Sequence, residues 1–240
     1  ETENADIFFT LCNDLIQKTE PVKEIMAAME ILFARLERWR SFLSRTRKNL
    51  LSDREVQGLF CELKFIEECI DRQFASHAAI IEGWHGPLGG PHDFVFGQSA
   101  VEIKSVAGSQ SDSVPISSEN QLQTHLGRLY LNVFLLSRDA DCTTGISLND
   151  LVRQMRERFE EKSLKDAFEE RLMESGYIDI PEYDLPCFAV SEIRTYLVGE
   201  NFPCITPDIL PQGIREVSYR ISFSSIADYL CDISAIGGKA

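Results

Sequence analysis

Three residues, Asp93, Glu102 and Lys104, combine reactive side chains with a spacing that a β-hairpin turns into a site. The stretch from Asp93 to Lys104 alternates as two short strands do. Phe94, Phe96, Val101 and Ile103 fall on one face, and Asp93, Val95, Ala100, Glu102 and Lys104 on the other. Gly97-Gln98 lies at the centre, and glycine at the first position of a two-residue turn supplies the positive φ that hairpin needs. The resulting register sets Asp93 directly opposite Glu102, with Cβ atoms about 5 Å apart. Two facing carboxylates repel each other, and a divalent cation between them reverses the sign of that interaction. Oxygens so placed begin a hard-cation site of the kind Mg²⁺ prefers, with water and phosphate completing the shell. Lys104 points the same way as Glu102, which brings its ammonium beside the metal-bound water, while Ile103 anchors the strand from the other face.

The elements that must hold this hairpin read as α/β. Asp6 to Gln17 has a helical apolar period, and Pro21 suits the first turn of a second helix carrying Val22, Ile25, Met26, Met29, Leu32, Phe33, Leu36 and Leu43. Ser52 and Glu55 form a capping-box pattern, so a third helix starts there with Val56, Leu59, Phe60, Leu63, Ile66, Ile70 and Phe74 as its stripe. Glu62 falls about 90° from the centre of that stripe, where a carboxylate can face a cleft. Glu67 and Glu68 are its rivals. A glycine-rich loop through Trp84, His85 and Gly86 leads into the hairpin, and His92 is expected on the face opposite Asp93. Beyond Lys104 come a polar loop, Gly108 to Ser113, and a candidate strand, Val114 to Gln123. The apolar run Leu129 to Leu136 suits a strand covered on both faces. Helices capped by Ser147 and Ser163 follow, then strands over Phe188 to Val198 and Val217 to Phe223.

Asp93 followed by Glu102-Ile103-Lys104 resembles the PD-(D/E)XK nuclease superfamily, whose signature is an Asp on one strand and Glu-x-Lys on the next. The proline that often precedes the Asp stands two positions back, at Pro91, with His92 between. The words Trp84-His85-Gly86-Pro87, His92-Asp93-Phe94 and Val101-Glu102-Ile103-Lys104 are similar to those of a bacterial branch associated with restriction and phage-defence loci. The resemblance implies a restriction-endonuclease-like mixed central sheet flanked by helices, with an N-terminal helical layer and a C-terminal strand-containing extension. It implies Mg²⁺, with Mn²⁺ as a substitute, held by Asp93, Glu102, the Ile103 carbonyl and Glu62, with Lys104 on the attacking water. A Gln-Leu word matched by Gln121-Leu122 adds Gln121 as a residue orienting water or substrate. The implied activity is endonucleolytic hydrolysis of DNA. The alternatives are an inactive nuclease-fold module that binds DNA or serves as a scaffold subunit, and an unrelated α/β protein whose charged hairpin is merely solvated.

Composition bounds these readings. At 240 residues the chain can bury one substantial core, divided here as a helical layer over 1–50, a nuclease-like core over 51–176 and an extension over 177–240. A net charge of -14 argues against a general nucleic-acid-binding surface. Arg35, Arg38, Arg40, Arg45, Arg47 and Lys48 nevertheless cluster against Glu37 alone, either as a phosphate-facing patch or as a solvated helix end. Seven dispersed cysteines without a C-x-x-C pair point to reduced thiols in a cytoplasm, and with the four histidines they make no zinc spacing. No apolar run is long enough for a membrane span. The chain starts at Glu1 without a Met, and preceding sequence is expected. Paired cutting of two strands would call for a homodimer, with the helices around Leu151 or Leu172 as its surface, or for partner subunits of a defence system.

Overall fold

In a computed structural model of the chain, which describes residues 5–46, 50–107 and 111–237, the hairpin forms the edge of a five-stranded sheet. Helices α1 (Ala5–Thr19), α2 (Ile25–Thr46), α3 (Asp53–Asp71) and α4 (His77–Gly83) precede it. Strands β1 (Phe94–Phe96), β2 (Ser99–Ala107), β3 (Ser113–Ile116) and β4 (Arg128–Asp139) come next, then α5 (Leu148–Arg158) and α6 (Lys162–Glu174). The chain closes with β5 (Cys187–Val198), β6 (Tyr219–Ser222) and β7 (Leu230–Cys231). The sheet order is β1-β2-β4-β5-β7, with β2 parallel to β4 and the other pairs antiparallel, and β3 pairs with β6 in a second sheet. This mixed sheet with its helices agrees with the expected restriction-endonuclease-like architecture.

The hairpin register is the one the alternation dictates: Phe94 pairs with Val101, Val95 with Ala100 and Phe96 with Ser99. Gly97 takes φ +58, the conformation that only glycine adopts at little cost. Strand β4 is buried at every position from Leu129 to Leu136, as a central strand must be. Its side chains alternate between two cores. Tyr130 and Phe134 pack with Val101, Ile103 and helices α3, α5 and α6. Leu129, Leu131 and Val133 pack with Ala100, Val106, and Val114 and Ile221 of the second sheet. The last third of the chain therefore extends the main sheet through β5 and covers its second face through β6.

Several expectations give way. Helix α2 begins at Ile25, not at Pro21, because the Glu24 carboxylate accepts the Ala27 N–H at 2.8 Å and so caps the helix. Its apolar stripe is not buried throughout: Ile25, Met26 and Phe33 are exposed, since α2 meets α1 on one side only; the Leu43 side chain lies outside the described residues. Within the basic cluster, Arg35 is committed to structure. Its Nε lies 3.0 Å from Asp14 Oδ2, which also accepts the Trp39 indole N–H at 2.8 Å. Arg40 pairs with Glu37, while the side chains of Arg38, Arg45, Arg47 and Lys48 lie outside the described residues. So do Gly108, Ser109 and Gln110 of the polar loop; the strand that follows ends at Ile116, and α6 starts without a Ser163 cap. Leu151 and Leu172 are core residues and offer no dimer surface. Cys142 and Cys187 form a disulfide with a Cα–Cα separation of 5.2 Å. The antiparallel pairing of Asp139 with Cys187 brings the loop after β4 against the start of β5, so reduced thiols throughout were the wrong expectation. No helix among the described residues is long and apolar enough to cross a membrane.

Candidate active site

Strand β1 is short, and its late start creates the site. Because it begins only at Phe94, the edge of β2 away from β4 has no neighbouring strand beyond Val101 among the described residues. The Asp93 carboxylate takes the place of that strand: its Oδ2 accepts the Ile103 N–H at 2.7 Å. The N–H and C=O of an extended residue point to the same side of the strand. The Ile103 carbonyl thus faces the same edge as Asp93. The backbone of Asp93 is fixed in turn by the His85 and Gly86 amides, which donate to its carbonyl at 2.8 and 2.9 Å.

Helix α3 delivers Glu62 to this gap from the face of the sheet it covers. The capping box at Ser52 and Glu55 starts the helix, and Gln57 donates to Ser105 of β2 at 2.8 Å, which sets its position on the sheet. The Glu62 Oε2 accepts the Trp84 indole N–H at 2.6 Å. Trp84 itself is fully buried and stacks on Phe94 with ring centroids 6.4 Å apart. A Cβ on Gly86 would lie 2.7 Å from Glu62 Oε2 and 3.2 Å from Asp93 Oδ1, so the two carboxylates close on a space that only glycine leaves open. Sequence reasoning treated the Trp84–Gly86 segment as a connecting loop; its tryptophan and glycine, unusual in a polar link, were the available signal.

From the second face come Glu102 and Lys104. Glu102 is buried, and its Oε1 accepts from Lys104 Nζ at 2.5 Å. Its Oε2 stands 3.9 Å from Nδ1 of His92, which is buried and has no hydrogen-bond partner. His92 was expected on the other face. Residues 91–93 form a bend ahead of β1, so strand alternation does not reach them and the ring turns inward.

The electrostatics record the crowding. Burial first, and then the charge of Asp93, push the Glu62 carboxyl up to about 8, against the Trp84 hydrogen bond. Burial and the charge of Glu102 push Asp93 up to about 7, with the Ile103 N–H and Lys104 opposing. Three carboxylates thus share one neighbourhood with one ammonium.

The rivals of Glu62 are occupied elsewhere. Glu67 pairs with Lys64 and with Arg158 at 3.4 Å, and Glu68 with Arg72 at 2.9 Å. Gln121 holds a local turn, its Oε1 accepting the Ser117 N–H at 2.8 Å. Among the described residues no hydrogen bond ties it to the carboxylates. A cavity of about 730 Å³ touches this region through His85 but is lined by none of the carboxylates.

No three His, Cys, Asp or Glu side chains among the described residues are gathered closely enough to enclose a metal ion as they stand. The donor set still fits a hard divalent cation, which keeps several waters and needs only one or two carboxylates from the protein. Glu62, Asp93 and Glu102 converge from three elements, and the Glu62 and Asp93 pKa values are raised first by burial and then by repulsion among the carboxylates, which such a cation relieves.

Compared with known families, residues 1–224 match the model of DUF4420, described as "Putative PD-(D/E)XK family member". No curated protein and no solved structure matches the chain.

Proposed function

The chain belongs to this PD-(D/E)XK family, and on that premise we propose that it is a metal-dependent nuclease hydrolysing DNA phosphodiester bonds within the strand. The observation that carries the proposal is the convergence of Glu62, Asp93, Glu102 and Lys104 at the open edge of β2, with two of the carboxylates held well above their ordinary pKa. Asp93, Glu102 and the Ile103 carbonyl would hold the cation, with Glu62 beside them; bound there, Mg²⁺ or Mn²⁺ would supply Lewis-acid polarisation of the phosphodiester and a more nucleophilic water.

The protein's own groups do the rest. Trp84 and the His85 and Gly86 amides hold Glu62 and the Asp93 backbone in place before substrate arrives. Lys104, paired with Glu102, presents an ammonium that orients the attacking water and offsets the charge developing on the phosphate. The burial of this cluster keeps competing water away and strengthens each of these interactions. A restriction or phage-defence setting, with a second copy or partner subunits for double-strand cutting, belongs to the same proposal and rests on the resemblance of the Trp84–Lys104 words.

Calorimetric titration of Mn²⁺ and Mg²⁺ into wild type and Asp93→Ala, followed by plasmid cleavage with Lys104→Ala, tests it. Metal binding lost in Asp93→Ala and cleavage lowered by about 10² or more in Lys104→Ala are expected. Metal binding unchanged in Asp93→Ala, with DNA present as well as absent, would remove the active site as drawn. Metal binding without cleavage would leave an inactive nuclease-fold module, for which the net charge of -14 favours a scaffold role over DNA binding.

A further inference from the structure

His92 is only 3% exposed, and its Nδ1 has no hydrogen-bond partner among the described residues. Leaving a buried ring nitrogen unpaired is unfavourable, which points to a partner that binds there. The group it faces is Glu102 Oε2, at 3.9 Å, the oxygen that Lys104 leaves free. That distance is too long for a hydrogen bond. It is also short for a bridging water, since two hydrogen bonds of about 2.8 Å meeting at a tetrahedral angle span well over 4 Å. Adjacent donors of one octahedral ion, at about 2.1 Å each, lie about 3 Å apart, so a cation shared by the two groups draws them together by about 1 Å.

We propose that His92 is a nitrogen donor to the cation held by Asp93 and Glu102, and that it makes this a mixed nitrogen–oxygen site favouring Mn²⁺ and Co²⁺ over Mg²⁺. The inference rests on the metal site proposed above and specifies its chemistry. Mg²⁺ takes oxygen donors and gains little from imidazole, whereas later first-row ions accept both. The bend at 91–93 places the ring inside the site: a continuous strand would have turned it away. Glu102 then divides its oxygens between Lys104 and the cation, and His92 and Asp93, adjacent in sequence, bind the same ion from one bend.

The test is Mn²⁺ and Mg²⁺ calorimetry, together with electron spin-echo spectroscopy of bound Mn²⁺, on the full chain as wild type, His92→Asn, His92→Ala and Asp93→Ala. His92→Asn keeps a polar group of similar reach but offers oxygen in place of imidazole nitrogen, and His92→Ala removes the donor; metal-free melting of each variant establishes folding. The expected result is a directly bound ¹⁴N signal in wild type that is absent from both His92 variants. The preference for Mn²⁺ over Mg²⁺ falls at the same time by about tenfold or more. Mn²⁺ that binds wild type, is lost in Asp93→Ala and shows no His92-dependent ¹⁴N signal or change in preference would overturn the His92 donor while leaving the carboxylate site intact. Binding that is unaffected by Asp93→Ala would overturn both.

Discussion

Two of the buried polar clusters among the described residues differ in whether their bonding capacity is met. In the first turn of α5, Asn149 is fully buried. Its Nδ2 donates to the Ile180 carbonyl and to Asp184 Oδ1, both at 2.8 Å, and its Oδ1 accepts from the Tyr177 hydroxyl at 2.7 Å. Burial raises the Tyr177 pKa far above its ordinary value, so the phenol stays a donor. At the open edge of β2, by contrast, three carboxylates share one ammonium and the His92 Nδ1 has no partner. A buried network with every bond made specifies structure; one held together despite its own repulsion is kept for something not yet bound.

The largest expected effect separates the two clusters by stability. Asn149→Ala removes three buried hydrogen bonds and leaves the Tyr177 hydroxyl without its acceptor, and should cost about 3 kcal/mol, read from urea unfolding. Asp93→Asn keeps an acceptor for the Ile103 N–H and removes a repelling charge, so at pH 8 it should be at least as stable as wild type. A loss in Asp93→Asn comparable to that in Asn149→Ala would mean the carboxylate cluster is structural after all.

A smaller effect sharpens the contrast without touching a donor. Gly86→Ala would bring a Cβ 2.7 Å from Glu62 Oε2, which the Trp84 indole holds in place, and 3.2 Å from Asp93 Oδ1. Metal affinity should fall by about tenfold, as when a supporting group around a metal is disturbed, with a much smaller change in unfolding. An unchanged affinity would show that the space beside Gly86 is not part of the site.

The legible and illegible parts of this site divide on physical grounds. The hairpin register was readable because a period of two and one glycine turn leave no second pairing that keeps Phe94, Val101 and Ile103 on the core face. Glu62 was readable as a helix-flank residue because the Ser52 cap fixes where α3 starts. His92 was misplaced because alternation holds only inside a strand, and nothing local announces that β1 waits until Phe94. The Trp84–Glu62 hydrogen bond joins residues 22 positions apart, and the Cys142–Cys187 pair depends on β4 and β5 meeting in register. Contacts of that kind follow from topology, which no local pattern encodes. Gln121 rested on a two-residue word, and its amide serves the Ser117 turn.

The last effect is carried by protons alone. Glu62 and Asp93 have folded pKa values of about 8 and about 7, against roughly 4 in an unfolded chain. Between those limits the folded state holds protons that the unfolded state has released, so stability falls as pH rises. The contribution is fully present below pH about 4 and is lost as pH climbs through the two folded values. The carboxylates with lowered pKa, Glu55, Glu119, Asp139, Glu192 and Asp232, are ionised in both states above pH 5 and add no slope there. Metal-free protein should therefore melt several degrees lower at pH 8.5 than at pH 5.5, at about 2–4 °C per kcal/mol for a chain of this size. Asp93→Asn combined with Glu62→Gln should flatten the dependence, while Asn149→Ala should lower the whole curve without changing its slope. Saturating Mn²⁺ should raise the melting temperature most at the alkaline end, because a cation favours the charged carboxylates that the fold alone disfavours. A wild-type curve that is flat from pH 5.5 to 8.5 would mean that burial and repulsion do not hold Glu62 and Asp93 above their ordinary range, and the difference between the two clusters would disappear with it.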